Sequence, residues 1–228
     1  MWSRRDEEVL SFLEKASKGH FPRMVNAFGL DFIIHYGVFS PIMGCVPVHE
    51  VLAPFAGREL LDVGCGVGVL AVLAAKAGAL RVVATDINPV AVTNALANVL
   101  RHRVADRVEI RQGDLFEPIQ EDEKFDLVFW NCPFHFVHAD AKLTMLQRAA
   151  FDPGYGAIRR YILEGHRYVK PRGALFLQFS SSFGRQDLIQ RFVREAGLRT
   201  QVRRRWAPGQ GAMISVELLE LQPAEGAA

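Results

Sequence analysis

Asn131, Cys132, Pro133 and Phe134 close the apolar run Phe125-Asp-Leu-Val-Phe-Trp130, and their types suit the gripping of a planar nitrogen. An asparagine amide set by a proline beside a backbone carbonyl offers two acceptors for an NH2 group, and a following aromatic face can stack on its plane. The plainer alternative is a strand-ending turn with Phe134 tucked into the core. A second set of residues could hold a ligand with its backbone. Asp62-Val63-Gly64-Cys65-Gly66-Val67-Gly68 ends one apolar run and opens onto a helical pattern. Glycines there allow a tight turn and close approach, and a helix start supplies unpaired N–H groups. The spacing is GxGxG with valine at position 69, not the GxGxxG or GxGxxA of dinucleotide sites, which disfavours NAD. The Asp62 carboxylate would repel a phosphate, yet it could accept from a cationic amino group.

Two more carboxylates follow at matching places. Asp86 ends Val82-Val83-Ala84-Thr85, about where an acid bonds ribose hydroxyls in nucleotide-binding βαβ units. Alternatively it belongs to the N-terminal cap of the helix that begins at Asn88-Pro89. Asp114, after Val108-Glu-Ile-Arg111, could accept from an exocyclic adenine amine, or be a plain turn residue. Asp62, the glycines, Asp86, Asp114 and Asn131 thus fall at the carboxyl ends of four successive predicted strands, the edge where open α/β sheets bind ligands.

The elements that must place them are legible in the periodicity. Helical spacing covers residues 5–17, with Val9, Leu10, Phe12, Leu13 and Ala16 on one face. A Gly- and Pro-punctuated stretch runs from 19 to 47 and includes the extended-looking Phe32 to Tyr36. From residue 48 the rhythm alternates. Strands are expected at 59–63, 81–85, 107–111, 125–130 and 173–179, and helices at 68–78, 89–101, 156–169 and 185–196. Such alternation makes an α/β fold, a Rossmann-like, mostly parallel sheet with helices on both faces. Two last strands, near 199–206 and 212–220, have too short a link for a crossover, so they form a C-terminal antiparallel hairpin at or near an edge. We divide the chain into an N-terminal cap helix and substrate-side segment, 1–47, a main domain, 48–222, and a disordered tail, 223–228.

Composition narrows the function classes. The 228 residues carry 27 basic and 25 acidic side chains, so net charge gives no global nucleic-acid signal. The run Arg199 to Arg205 could meet a phosphate backbone locally, although a strand would point its arginines to alternate faces and leave a solvated edge. Cys45, Cys65 and Cys132 are far apart and without CxxC spacing, so neither a disulfide framework nor a metal site is expected, and a reducing cytosol suits them. No apolar run approaches the roughly 18 residues of a membrane span. The sequence sets no oligomeric state.

In their order, LLDVGCGVG, VVATDINP, GDLF and FDLVFWNCPF resemble the class I S-adenosylmethionine-dependent methyltransferases across roughly residues 45–220. The resemblance implies a seven-stranded sheet, with the cofactor over Gly64, Cys65, Gly66 and Gly68, its amino group near Asp62, its ribose on Asp86 and its adenine near Ile87, Asp114 and Leu115. Asn131 to Phe134 look like the Asn-Pro-Pro-aromatic signature of the branch that methylates planar nitrogens, namely protein glutamine amides, adenine amines and guanine N2. Cys132 stands where that branch usually has proline, and the role carried over is that of its backbone carbonyl. Residues 152–173 are similar to the matching helix of protein-glutamine methyltransferases, whereas only about 45 residues precede the fold.

Asn131, Cys132, Pro133 and Phe134 are therefore the expected catalytic group, and Asn131 also counts among the residues expected to border the cofactor. His35, Tyr36, Phe39 and His135 are candidates for the acceptor pocket, and the long connection 133–155 is the place for a gating loop. The expected activity is methylation of a planar nitrogen on a protein side chain or nucleobase. The alternative is a small-molecule N- or O-methyltransferase, and a third reading is a cofactor-fold binding protein without turnover.

Overall fold

The computed structural model describes residues 3–39, 46–207 and 215–224. The chain opens with α1 (Arg4–Ala16), whose capping box pairs Ser3 with Asp6. There follow the hairpin β1 (Arg23–Ala27) and β2 (Leu30–Ile34), then α2 (Val48–Leu52). Next come β3 (Glu59–Val63), α3 (Val69–Lys76), β4 (Arg81–Asp86), α4 (Pro89–Arg101), β5 (Val108–Gln112) and β6 (Phe125–Asn131). The expected gating connection holds β7 (His135–Val137), α5 (Met145–Arg148) and β8 (Phe151–Pro153). The rest is α6 (Gly156–Glu164), β9 (Val169–Phe179), α7 (Gln186–Glu195), β10 (Leu198–Trp206) and β11 (Val216–Pro223).

Seven strands form one sheet in the order β10-β11-β9-β6-β3-β4-β5. The five from β5 to β9 run parallel, and β11 inserts antiparallel between β9 and β10, so the C-terminal hairpin sits at the edge as expected. Side chains alternate across this sheet. Leu60, Val82, Ala84, Leu127 and Phe129 face α3, α4 and the N-terminal hairpin, while Leu61, Val63, Val83, Val128 and Trp130 face α6 and α7. Both faces are covered, which is why the central strands read as unbroken apolar runs.

Helix α6 ends at Glu164, short of the expected 169, because a 3-10 turn, Gly165–Tyr168, follows. A Cβ on Gly165 would lie 2.9 Å from the Leu175 side chain, so the chain closes tightly onto β9 there. Strand β9 starts four residues before the expected 173 and absorbs Pro171 at an irregularity in its pairing with β6. The last strand runs to Pro223, which pairs with Leu198, so the first residue of the expected tail belongs to the sheet, and residues 225–228 lie outside the described ones. The link between the final strands also lies outside them.

The N-terminal hairpin turns at Phe28-Gly29, both with positive φ, the two-residue turn that matches strand twist. Two buried asparagines one turn apart on α4 bind it to the sheet. Asn94 accepts from the His35 amide at 2.8 Å and donates to the Ile33 carbonyl at 2.7 Å. Asn98 accepts from the Ile33 amide at 2.8 Å and donates to the carbonyls of Ile33 and Val67, each at 2.9 Å. A helix thereby supplies β2 with the amide groups a neighbouring strand would offer, and ties it to the glycine loop. Asn98→Ala strands the Ile33 amide and Val67 carbonyl, so stability falls by about 1–3 kcal/mol in urea melts; a change within about 0.5 kcal/mol refutes the tie.

Candidate active site

The carboxyl ends of β3, β4, β5 and β6 open on one cavity of about 720 Å³, within the usual range for small-ligand sites. Its floor is the loop after β3. Gly64 and Gly66 there have φ of 62° and 58°. A Cβ on Gly64 would lie 2.7 Å from Trp130 Nε1, whereas none on Gly66 would meet anything within 4 Å, so bare backbone faces the cavity. The Cys65 amide donates to the Thr85 carbonyl and Gly68 caps α3, which fixes the loop between two strand ends and a helix start.

Three carboxylates surround this loop. Asp62 is 3% exposed, and burial together with the Asp86 charge pushes its carboxyl up to about 8. Asp86 accepts from the amides of Gly66 and Asn88, both at 2.9 Å, while burial outweighs these bonds and raises its carboxyl also. Asp114 pairs with Arg160, which leaves its other oxygen for a ligand. Ile87 and Leu115 line the same wall. Leu115 has φ 54°, and its carbonyl accepts from Thr85 at 3.2 Å. The cations lining the cavity, Arg5 and Arg148, lie on α1 and α5 rather than on the glycine loop. This donor set fits a cofactor that carries an ammonium and a sulfonium and no phosphate.

Asn131 ends β6 with an exposed side chain on the cavity, and no hydrogen bond among the described residues occupies its amide. The next residue is pinned. The Cys132 amide and thiol both meet the Gln178 carbonyl, at 3.3 and 3.2 Å, and the side chain is 2% exposed. The Cys132 carbonyl is free of partners among the described residues. Pro133 is buried and Phe134 half-buried, its ring 4.9 Å from His135. His135 is 7% exposed among Phe134, Phe151 and Phe183, and burial lowers its pKa to about 4, so the ring is neutral at neutral pH.

Phe39 lines the cavity, but His35 and Tyr36 do not. The asparagines of α4 hold the end of β2 away from it: the His35 backbone is spent on Asn94, and Tyr36 lies exposed against Phe21. Ser40 and Pro41, in the same expected segment, lie outside the described residues. The sequence did not point to Phe12 of α1 or Phe183 as cavity walls. The periodicity of α1 marked its apolar face without saying what that face covers. Among the described residues no group of three or more His, Cys, Asp or Glu is placed to hold a metal ion. Nor is any described helix long and apolar enough to cross a membrane.

A family model described as methyltransferase small domain matches residues 30–204. The chain belongs to this family. It is an S-adenosylmethionine-dependent methyltransferase. A provisionally named protein N5-glutamine methyltransferase of Methanocaldococcus jannaschii is 28% identical over 177 residues, covering 76% of this chain and 87% of that protein. A release factor glutamine methyltransferase of Gloeobacter violaceus is 27% identical over 211 residues, covering 86% and 70%. Among solved structures, the 16S rRNA N2 G1207 methyltransferase of T. thermophilus in complex with AdoMet and guanosine superposes with a TM-score of 0.62 at 20% identity. That match covers 88% of this methyltransferase but only half of the rRNA enzyme, and it speaks for the fold alone.

Proposed function

We propose that this methyltransferase transfers a methyl group to a planar nitrogen, foremost the amide of a protein glutamine. The observation that carries the reading is the pair of unoccupied acceptors at the end of β6, the Asn131 side-chain oxygen and the Cys132 carbonyl, beside the half-buried ring of Phe134. Two relatives named for glutamine methylation, similar over most of this chain, agree with it.

S-adenosylmethionine supplies an electrophilic methyl group on a sulfonium. Asp62 would hold the ammonium of its amino-acid tail, and the backbone of Gly64, Cys65, Gly66 and Gly68 would border it. Asp86 would accept from the ribose hydroxyls, and Ile87, Leu115 and the free oxygen of Asp114 would border the adenine. The protein's own task is alignment. An amide nitrogen has a delocalised lone pair. Asn131 Oδ1 and the Cys132 carbonyl accept its two N–H bonds, which returns electron density to nitrogen and stabilises the positive charge that develops there. Phe134 and the neutral ring of His135 hold the acceptor's plane. Position 132 contributes through its backbone, so a cysteine can serve where proline is usual.

A small-molecule amine is the second reading, favoured by α1, whose Val9, Phe12 and Leu13 wall the same cavity and narrow its acceptor side. In either case residues 1–47 act as the acceptor-side cap of the domain at 48–222, and the free Cys65 and Cys132 suit a reducing cytosol. Tritiated methyl from S-adenosylmethionine, incubated with host extract and separated into protein, RNA and small-molecule fractions, tests the assignment. Alkali-stable label on glutamine in protein is expected. Label only in the small-molecule fraction transfers the assignment to the second reading, and no label anywhere, with cofactor bound, refutes both.

A further inference from the structure

We infer that Tyr155 is a positioning residue that holds the Asn131–Phe134 turn in its acceptor-binding form, through a hydroxyl that bridges the turn to the start of α7. The inference rests on the proposed roles of Asn131 and Cys132. Tyr155 lies between β8 and α6, fully buried, in the left-handed region at φ 55° and ψ 35°. A bulky aromatic residue there stores strain that the surroundings must impose. What the conformation achieves is reach. The ring runs edge-on against Phe136 and Phe179, and its hydroxyl donates to the Phe134 carbonyl while accepting from the Arg185 amide at 3.0 Å. Gly184 gives it room, since a Cβ there would come within 2.8 Å of the hydroxyl.

The turn needs an outside hold. Cysteine at 132 lacks the fixed φ of proline. Its start is fixed by the Cys132 amide and thiol on Gln178, and its exit by the His135 amide on the Ala150 carbonyl at 3.0 Å. Between these points the Phe134 carbonyl accepts from Tyr155 and from no other group among the described residues. The hydroxyl's proton is committed to that carbonyl and the group is sealed from the cavity, so it sets geometry and takes no part in proton transfer. The Asp152 carboxylate fixes the tyrosine from behind by accepting from the Ala157 and Ile158 amides at 3.2 and 2.8 Å.

Tyr155→Phe removes the hydroxyl and keeps the ring. We expect Cys132 to be alkylated by iodoacetamide at least about tenfold faster relative to Cys65, read by peptide mass mapping. S-adenosylhomocysteine should still bind within twofold. With the host release factor as probe acceptor, kcat should fall about 10- to 100-fold with KM within threefold. Arg185→Pro, compared with Arg185→Ala, removes the amide that bonds the hydroxyl and sets a ring carbon in its place, so it should move alkylation the same way, which keeps the test open should Tyr155→Phe not fold. An unchanged Cys132 rate, or equal rises at Cys65 and Cys132 that report general loosening, overturns the inference. The alkylation result does not depend on the acceptor, so an error in the proposed substrate would show as absent methyl transfer with the Cys132 response intact.

Discussion

Asn131→Ala is expected to lower methyl transfer by about 10²- to 10³-fold, the scale seen when one preorganised hydrogen-bonding group is removed from a developing charge. The cofactor dissociation constant should stay within about threefold, because the residues proposed to hold most of the cofactor, at the ends of β3 and β4, are untouched. The structure also predicts what will not change. The Asn131 amide has no hydrogen-bond partner among the described residues, so its loss strands no buried group and stability should shift by less than about 0.5 kcal/mol. Most of the loss should appear in kcat, since the two acceptors matter most when positive charge reaches the nitrogen. Equilibrium titration with S-adenosylhomocysteine and single-turnover kinetics separate these effects. A variant that binds cofactor and keeps at least half its turnover would place the acceptor elsewhere in the cavity.

The parts of this site that were legible in the sequence are those whose chemistry is local. An apolar run followed by an acid or asparagine marks a strand end, and four of them in succession place their last residues on one edge of the sheet. Gly64, Asp86 and Asn131 meet at one cavity for that reason. Features made by contacts distant in sequence left no such trace. Asn94 and Asn98 look like polar residues within an amphipathic helix until β2 is docked on them. That docking turns His35 and Tyr36 away from the cavity, although their distance along the chain from Phe39 is only a few residues. Tyr155 lies 21 residues beyond Phe134, whose carbonyl its hydroxyl finds only because β7 and β8 pair side by side. Helix periodicity likewise revealed an apolar face on α1 but not that Phe12 would wall the cavity. The run Arg203 to Arg205 is explained by register: Arg203 and Arg205 reach Glu220 and Glu217 of β11, so much of its charge is matched within the edge hairpin.

Cofactor affinity should follow the protonation of Asp62 and peak near pH 8. In the empty site burial and the neighbouring Asp86 push the Asp62 carboxyl up to about 8, so at pH 6 it is protonated in the folded protein. Holding an ammonium requires the carboxylate. Below pH 8 binding must therefore expel a proton, and affinity should fall by about tenfold for each further pH unit. Above about pH 8 the α-amino group of the ligand loses its own proton and affinity declines again. The same shift acts on folding with a definite sign. The unfolded carboxyl ionises near pH 4 and the folded one near 8, so the empty protein loses stability as pH rises between these values, and bound cofactor returns it. Asp62→Asn abolishes the acidic limb of the affinity profile and weakens binding by about 10²-fold at pH 8, since the amide neither titrates nor attracts the ammonium. Calorimetry at pH 7 in buffers of different ionisation enthalpy should register close to one proton released per cofactor bound to the native protein and none for the variant. A flat dissociation constant from pH 5.5 to 8 would show that the ammonium is held elsewhere than at Asp62.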